Sequence, residues 1–268
     1  MSTATATLVP TRAASAPFPL VRHAAVLAGR SVKKMIRTPE QFIDVTLQPI
    51  LFIVTFVYLF GGAISGSTHD YLQFVLPGLM AQTVLFSTIS IGVNLNTDIK
   101  EGVFDRFRSL PIPRSAPLVG AVAAEGIRYT TSILVTLGFG YVIGYRATTS
   151  FWSVLAGCAL VLLVAWALCW ISVFLGMVLR ESGSVQGIGF LALFPLTFGS
   201  SMFVDPDTMP GWLQAWVNVN PVTHLTDAVR GLFTGGAEAS DIVVTLGMAG
   251  AIIAVFAPLA VRAYRRKA

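Results

Sequence analysis

Residues 98–117 read DIKEGVFDRFRSLPIPRSAP. The segment carries Lys100, Arg106, Arg108 and Arg114 against Asp98, Glu101 and Asp105, and long apolar runs flank it on both sides. Val103, Phe104 and Phe107 recur at helical spacing. Leu110-Pro111-Ile112-Pro113 then stops a helix twice. Each proline lacks the N–H that the next turn needs and pushes the preceding residue out of the α region. The pattern predicts a short amphipathic helix with a rigid stop, a surface able to receive force or a partner. That reading requires the flanks to be membrane spans.

Composition supports such flanks. The 268 residues are 54% hydrophobic and only 12% charged, with mean hydropathy +0.74. A soluble domain is about 25% charged, so a chain this apolar cannot cover its surface in water and belongs in a bilayer. The net charge of +5 comes from basic residues at the ends of the apolar runs, which argues for membrane loops and against nucleic acid as a partner. Cys158 and Cys169 lie eleven residues apart in one apolar run. On a helix that is about 16 Å, too far for a disulfide.

Outward from the charged island, the sequence predicts an all-α membrane protein with six spans. These cover about residues 42–60, 71–97, 118–143, 151–179, 184–203 and 241–261. Gly61-Gly62 is read as the end of the first span, and the island at 98–117 joins the second to the third. Residues 1–19 read as a disordered tail without the apolar core of a signal peptide. Residues 20–37 read as an interfacial helix, with Val21, Ala25, Val32, Met35 and Ile36 on one arc and Arg22, Arg30, Lys33 and Arg37 on the opposite one. The transmembrane domain is 38–262, and 263–268 is a second tail. Fifteen of the eighteen Lys and Arg residues fall on one side of this arrangement. Arg146 and Arg230 fall on the other, and Arg128 lies within a span. Such a split puts both termini and the 98–117 loop in the cytoplasm.

The segment 204–240 is longer than a simple connection. Met209-Pro210 can start a short helix bearing Trp212 and Trp216, Asn220-Pro221 breaks it, and a second short helix reaches Gly235-Gly236. Two helices too short to span predict a re-entrant or interfacial hairpin on the outer side.

No GxxxxGK[ST] phosphate loop occurs, so the chain does not bind ATP by that route. His23, His69 and His224 are scattered, and no metal or catalytic constellation surrounds them. Polar residues inside the spans are more informative. Thr83, Ser87, Ser90, Asn94 and Thr97 form one stripe on the second span, and Gln186, Phe190, Leu193, Thr197 and Ser201 form another on the fifth. Such stripes line a polar path or pack helices through small polar residues. Glu125 and Arg128 are three apart on the third span and share a face. Intramembrane charges are costly, so the two are a structural pair or, on a second reading, a proton-coupling or substrate site.

Three stretches carry a family resemblance. The island with its continuation, RTPEQFIDVTLQPILFIVTFVYLFGGAI near the start and NPVTHLTDAVRGLF near the end together resemble ABC-2 type permeases, the daunorubicin/doxorubicin resistance branch most of all. The sequence departs from that family at Asp98-Ile99-Lys100-Glu101-Gly102-Val103, where members often carry Glu-Arg-Glu-x-Gly-Thr. The resemblance implies a transport subunit, not an enzyme, that dimerises with a like or sister permease and sits on two copies of a separate ATP-binding cassette ATPase. ATP and Mg would belong to that partner, and this chain would hold no cofactor. The island becomes the coupling helix, with Glu101, Gly102, Asp105, Arg106, Phe107, Arg108, Pro111, Pro113 and Arg114 as candidate coupling residues. Arg30, Lys33 and Arg37 of the interfacial helix would lie near the same subunit. A small amphiphilic drug or antibiotic would pass between facing chains in the plasma membrane, along Thr83, Ser87, Ser90, Asn94, Gln186, Phe190, Thr197 and Ser201. Export of a lipid-linked glycan or glycolipid is the alternative within the family. A proton-coupled secondary transporter using Glu125 is the alternative outside it.

Overall fold

The computed structural model describes residues 39–102 and 116–267. The interfacial helix at 20–37 and most of the island, 103–115, lie outside the described residues. Nine α-helices form the described chain: α1 (Pro39–Ser65), α2 (Thr68–Ser87), α3 (Ile89–Lys100), α4 (Ala116–Val142), α5 (Phe151–Val178), α6 (Ser182–Phe198), α7 (Gly211–Val219), α8 (Pro221–Thr234) and α9 (Ala239–Lys267). Five stretches are long and apolar enough to cross a membrane: α1, α2 with α3, α4, α5 and α9. The expected fifth span is the shorter α6, 17 residues long, which ends at Gly199 and not at 203.

Spans α2 and α3 occupy the centre. Of their most apolar stretch 78% is buried, against 22% for α1 and 11% for α9. The core runs along α2 through Tyr71, Leu72, Leu76, Leu79, Met80 and Leu85. Helix α5 packs against α9 and α3, α1 against α2 and α4, and α6 against α3.

Three boundaries correct the sequence reading. The pair Gly61-Gly62 does not end the first helix, which runs on to Ser65. A Cβ on Gly61 would stand 2.9 Å from Thr68 Cα, so this glycine admits the start of α2, and the turn falls at Gly66, with φ +71°. The second span is not one continuous helix. At Thr88 the N–H and the Oγ1 both donate to Leu85 O, at 3.1 and 2.7 Å, which tightens the turn and divides α2 from α3. The sixth span does not stop at 261. No breaker follows it, and α9 carries the tail as helix to Lys267.

The segment 204–240 is built much as its punctuation predicts. Helix α7 exposes Trp212 and Trp216. Asn220 caps α8 by accepting from Val222 N–H at 2.9 Å, while its amide donates to Leu196 O and Gly199 O, both at 2.7 Å. Helix α8 is no surface turn. Leu225, Ala228, Val229 and Phe233 are fully buried against α2, α5 and α9.

Candidate functional site

Five helices meet around a cleft of about 370 Å³. Helix α1 supplies Val45 and Gln48. The α2–α3 break supplies Phe86, Ser87, Ile89, Ser90 and Val93. Helix α4 adds Arg128, and α6 adds Gln186 and Phe190. The cleft is polar where α3 and α4 face each other, and aromatic where α2 faces α6.

Arg128 is the charged group of this cleft. It is 7% exposed, donates through a guanidinium nitrogen to Ser90 Oγ, and lies 3.8 Å from a Glu125 carboxylate oxygen. The spacing-based pair is therefore present, but it is loose. Among the described residues, neither Glu125 Oε2 nor Arg128 Nε, both buried, has a hydrogen-bond partner.

The polar stripe of the second span divides. Ser87 and Ser90 line the cleft, but their hydroxyls donate to backbone carbonyls four and three residues earlier, Thr83 O at 2.8 Å and, across the break, Ser87 O at 2.7 Å. They offer lone pairs and not donors. Thr83 is buried and donates to Met80 O at 3.0 Å, and Asn94 lies half-buried outside the cleft. On α6 and beyond, Gln186 and Phe190 reach the cleft. Thr197 is buried and donates back to Leu193 O at 2.8 Å. Ser201 belongs elsewhere, donating to Asp227 Oδ1 at 2.7 Å. Of the eight path residues, four stand at the cleft. Gln48 and Phe86 complete it without having been singled out. The lone amide of Gln48 in an apolar span was the available signal.

A row of phenylalanines leaves the cleft. Phe86 meets Phe190 with ring centres 5.4 Å apart. Phe190, Phe194 and Phe198 follow at one-turn spacing on α6, 5.5 and 4.4 Å apart. Phe198 meets Phe203 at 5.0 Å, and Phe203 meets Phe56 of α1 at 4.6 Å. The row therefore runs from the cleft to the α7–α8 end. Phe190, Phe194 and Phe198 remain exposed.

At that end a second polar group fixes the hairpin. Arg230 donates to Asp227 Oδ1 and Ser201 O, both at 2.8 Å, and to Phe74 O at 3.3 Å, with its guanidinium 4.0 Å from the Phe74 ring centre. Burial pushes the Asp227 carboxyl up, opposed by the Ser201 hydrogen bond and the Arg230 charge. Burial pushes Arg230 down, opposed chiefly by Asp227. Sequence reasoning counted Arg230 only as an outer charge, although its i, i+3 spacing from Asp227 was visible. His224 likewise meets Asp241 of α9, Nδ1 to Oδ1 at 2.9 Å.

At the opposite end Asn96 donates to Gly176 O and Leu179 O, at 3.0 and 2.8 Å, and Lys100 pairs with Glu181 at 2.5 Å. Glu101 is exposed. Gly102, at φ +69°, closes α3 with its N–H on Ile99 O at 3.1 Å. The remaining coupling candidates, Asp105, Arg106, Phe107, Arg108, Pro111, Pro113 and Arg114, lie outside the described residues. So do Arg30, Lys33 and Arg37.

A bundle with five stretches long and apolar enough to cross a bilayer, and with short helices packed at one end, is the build of a multi-pass membrane protein. The chain belongs to the ABC-2 type transporter family, whose model matches residues 22–234. It is 42% identical over 229 residues to a daunorubicin resistance ABC transporter permease, DrrB1, of Streptomyces coeruleorubidus, covering 85% of this chain and 81% of the relative. A probable doxorubicin resistance ABC transporter permease, DrrC, of Mycobacterium tuberculosis is 26% identical over 220 residues, 81% and 79% of the two chains. A putative transport permease, ycf38, of Cyanophora paradoxa is 25% identical over 221 residues, 81% and 76%.

Proposed function

We propose that this chain is the permease half of an ATP-driven exporter of an amphiphilic drug or antibiotic, with daunorubicin-like compounds the first to try. The observation that carries the reading is the 42% identity, across 85% of the chain, with a permease named for daunorubicin resistance. Two permease chains, alike or sister, pair in the plasma membrane with six spans each, α6 counting as a short fifth. Both termini face the cytoplasm, and the α7–α8 hairpin lies outside as a re-entrant element. Two separate ATPase subunits hold ATP and Mg and dock under the 98–117 island. ATP binding draws those subunits together. The island carries the motion to α3 and α4, which flank the cleft, and the interface between facing chains opens outward. The chain itself performs no covalent chemistry. The exposed phenylalanine row on α6 supports a route for apolar cargo, and the four path residues at the cleft support its starting point.

The docking part is tested by co-purification with the ATPase subunit. Arg106→Glu with Arg108→Glu is expected to abolish association while membrane insertion is retained, since a charge reversal at a docking face costs several kcal/mol (of order 2–5). Undiminished association would remove both arginines from the interface.

A further inference from the structure

Helix α5 ends without the left-handed glycine that commonly satisfies the last carbonyls of a helix. Its final residue is Val178, and Leu179 leaves it in extended backbone, at φ −75° and ψ 153°. The Leu179 N–H takes Leu175 O at 2.9 Å. Two further carbonyls are satisfied from another helix. Both N–H bonds of the Asn96 amide on α3 are used there, one on Gly176 O and one on Leu179 O. Asn96 is only 2% exposed. The same face of α3 continues the contact in both directions. One turn earlier, a Cβ on Gly92 would meet Ser172 of α5 and stand 3.0 Å from Val185 Cγ1 of α6. One turn later, Lys100 pairs with Glu181 between α5 and α6. Residues 92, 96 and 100 are four apart, so one stripe of α3, roughly 12 Å long, runs beside the end of α5 and the start of α6. Ile89 extends it, since a Cβ on Gly189 of α6 would stand 3.1 Å from the Ile89 side chain. Helix α3 is thus joined to α6 by side chains and backbone, whereas the break at Thr88 separates it from α2.

The parts of this contact differ in strength. The Lys100–Glu181 pair is exposed, and such pairs contribute little in water. The amide bonds are the firmer part, since Asn96 and Gly176 are both buried and a buried carbonyl left without its donor is costly. Glu181 is the residue from which α6 starts, and α6 carries Gln186 and Phe190 into the cleft. We infer that Asn96 is a positioning residue: with the Lys100–Glu181 pair it fastens the α5–α6 turn to α3, so that α6 follows α3 when the island moves. The source of that motion rests on the export reading above, but the fastening is measurable without transport.

The first arm of the test is amide hydrogen exchange of the full chain in phosphatidylcholine nanodiscs. Asn96→Leu keeps the side-chain bulk and removes the donors. Exchange over residues 179–185 is expected to rise about tenfold, the scale of one hydrogen bond, while α9 exchanges as in the wild type. If exchange rises throughout, the exposed substitution Glu181→Lys decides, with a rise of about threefold expected in the turn alone. An unchanged turn in both variants would overturn the fastening. The second arm reconstitutes the chain with its ABC ATPase in sealed vesicles and measures daunorubicin transported per ATP hydrolysed. Lys100→Glu and Glu181→Lys are each expected to lower that ratio about threefold, and the two together to restore it. Failure of the double variant to restore it would place Lys100 against the ATPase and overturn its part in the fastening. A turn freed in exchange with the ratio unchanged in every variant would overturn the positioning role and leave the export reading standing. Absence of ATP-driven transport in the wild type would remove the export reading, and exchange would still decide the fastening.

Discussion

Arg230 divides its guanidinium among acceptors from three parts of the chain: Asp227 on its own helix, Ser201 O after α6, and Phe74 O on α2. Its loss strands two backbone carbonyls and a half-buried carboxylate at once. Arg230→Met is therefore expected to cost about 2–3 kcal/mol, read as a lowered unfolding midpoint of the purified chain in detergent. Asp227→Asn keeps an acceptor for both Ser201 and Arg230 and is expected to cost about 1 kcal/mol. A wild-type melting curve for Arg230→Met would mean that the hub does not hold the hairpin. At this scale the sequence was legible where partners share a helix, as with Glu125 and Arg128, whose spacing alone put them on one face. It was not legible where partners are distant. Ser201 continues the α6 periodicity by numbering, yet the chain has already left the helix at Gly199, so its hydroxyl turns to Asp227.

Helix α3 crosses α5 at two glycines. A Cβ on Gly176 would stand 2.4 Å from Gly92 O, and one on Gly92 would stand 2.3 Å from Ser172 O. Backbone cannot yield as a flexible side chain can, so the helices must separate if either position gains a methyl group. Gly176→Ala is expected to lose about 1–3 kcal/mol of stability, seen as a lower unfolding midpoint. Gly187→Ala on α6, whose Cβ would meet nothing within 4 Å, is expected to melt no lower than wild type, because alanine favours helix over glycine. Equal loss at both positions would point to helix propensity and not to the crossing. The spans themselves were legible because long apolar runs have few structural solutions in a bilayer. The punctuation was less so. Gly61-Gly62 looks like a local stop but serves a close approach to Thr68. The break at Thr88 depends on which carbonyl a hydroxyl takes, and a hydropathy pattern does not carry that.

The whole molecule brings together what the chain keeps far apart. Gln48 on α1, Arg128 on α4 and Phe190 on α6 share one cleft, although no periodicity links them. That is why the path residues read from two stripes divided between the cleft, the helix backbones and the Asp227–Arg230 group. The family was legible because three separated stretches occur in the right order, and the family model spans residues 22–234 accordingly. In the proposed function, cleft, phenylalanine row and island serve transport driven by a separate ATPase. Its most direct test is to reconstitute the chain with its ABC ATPase in sealed vesicles and follow a fluorescent amphiphilic drug. Transport is expected when Mg-ATP is supplied on the ATPase side, without any proton gradient, and is expected to vanish when the ATPase is omitted. Transport driven by a proton gradient with no ATPase present would contradict the account.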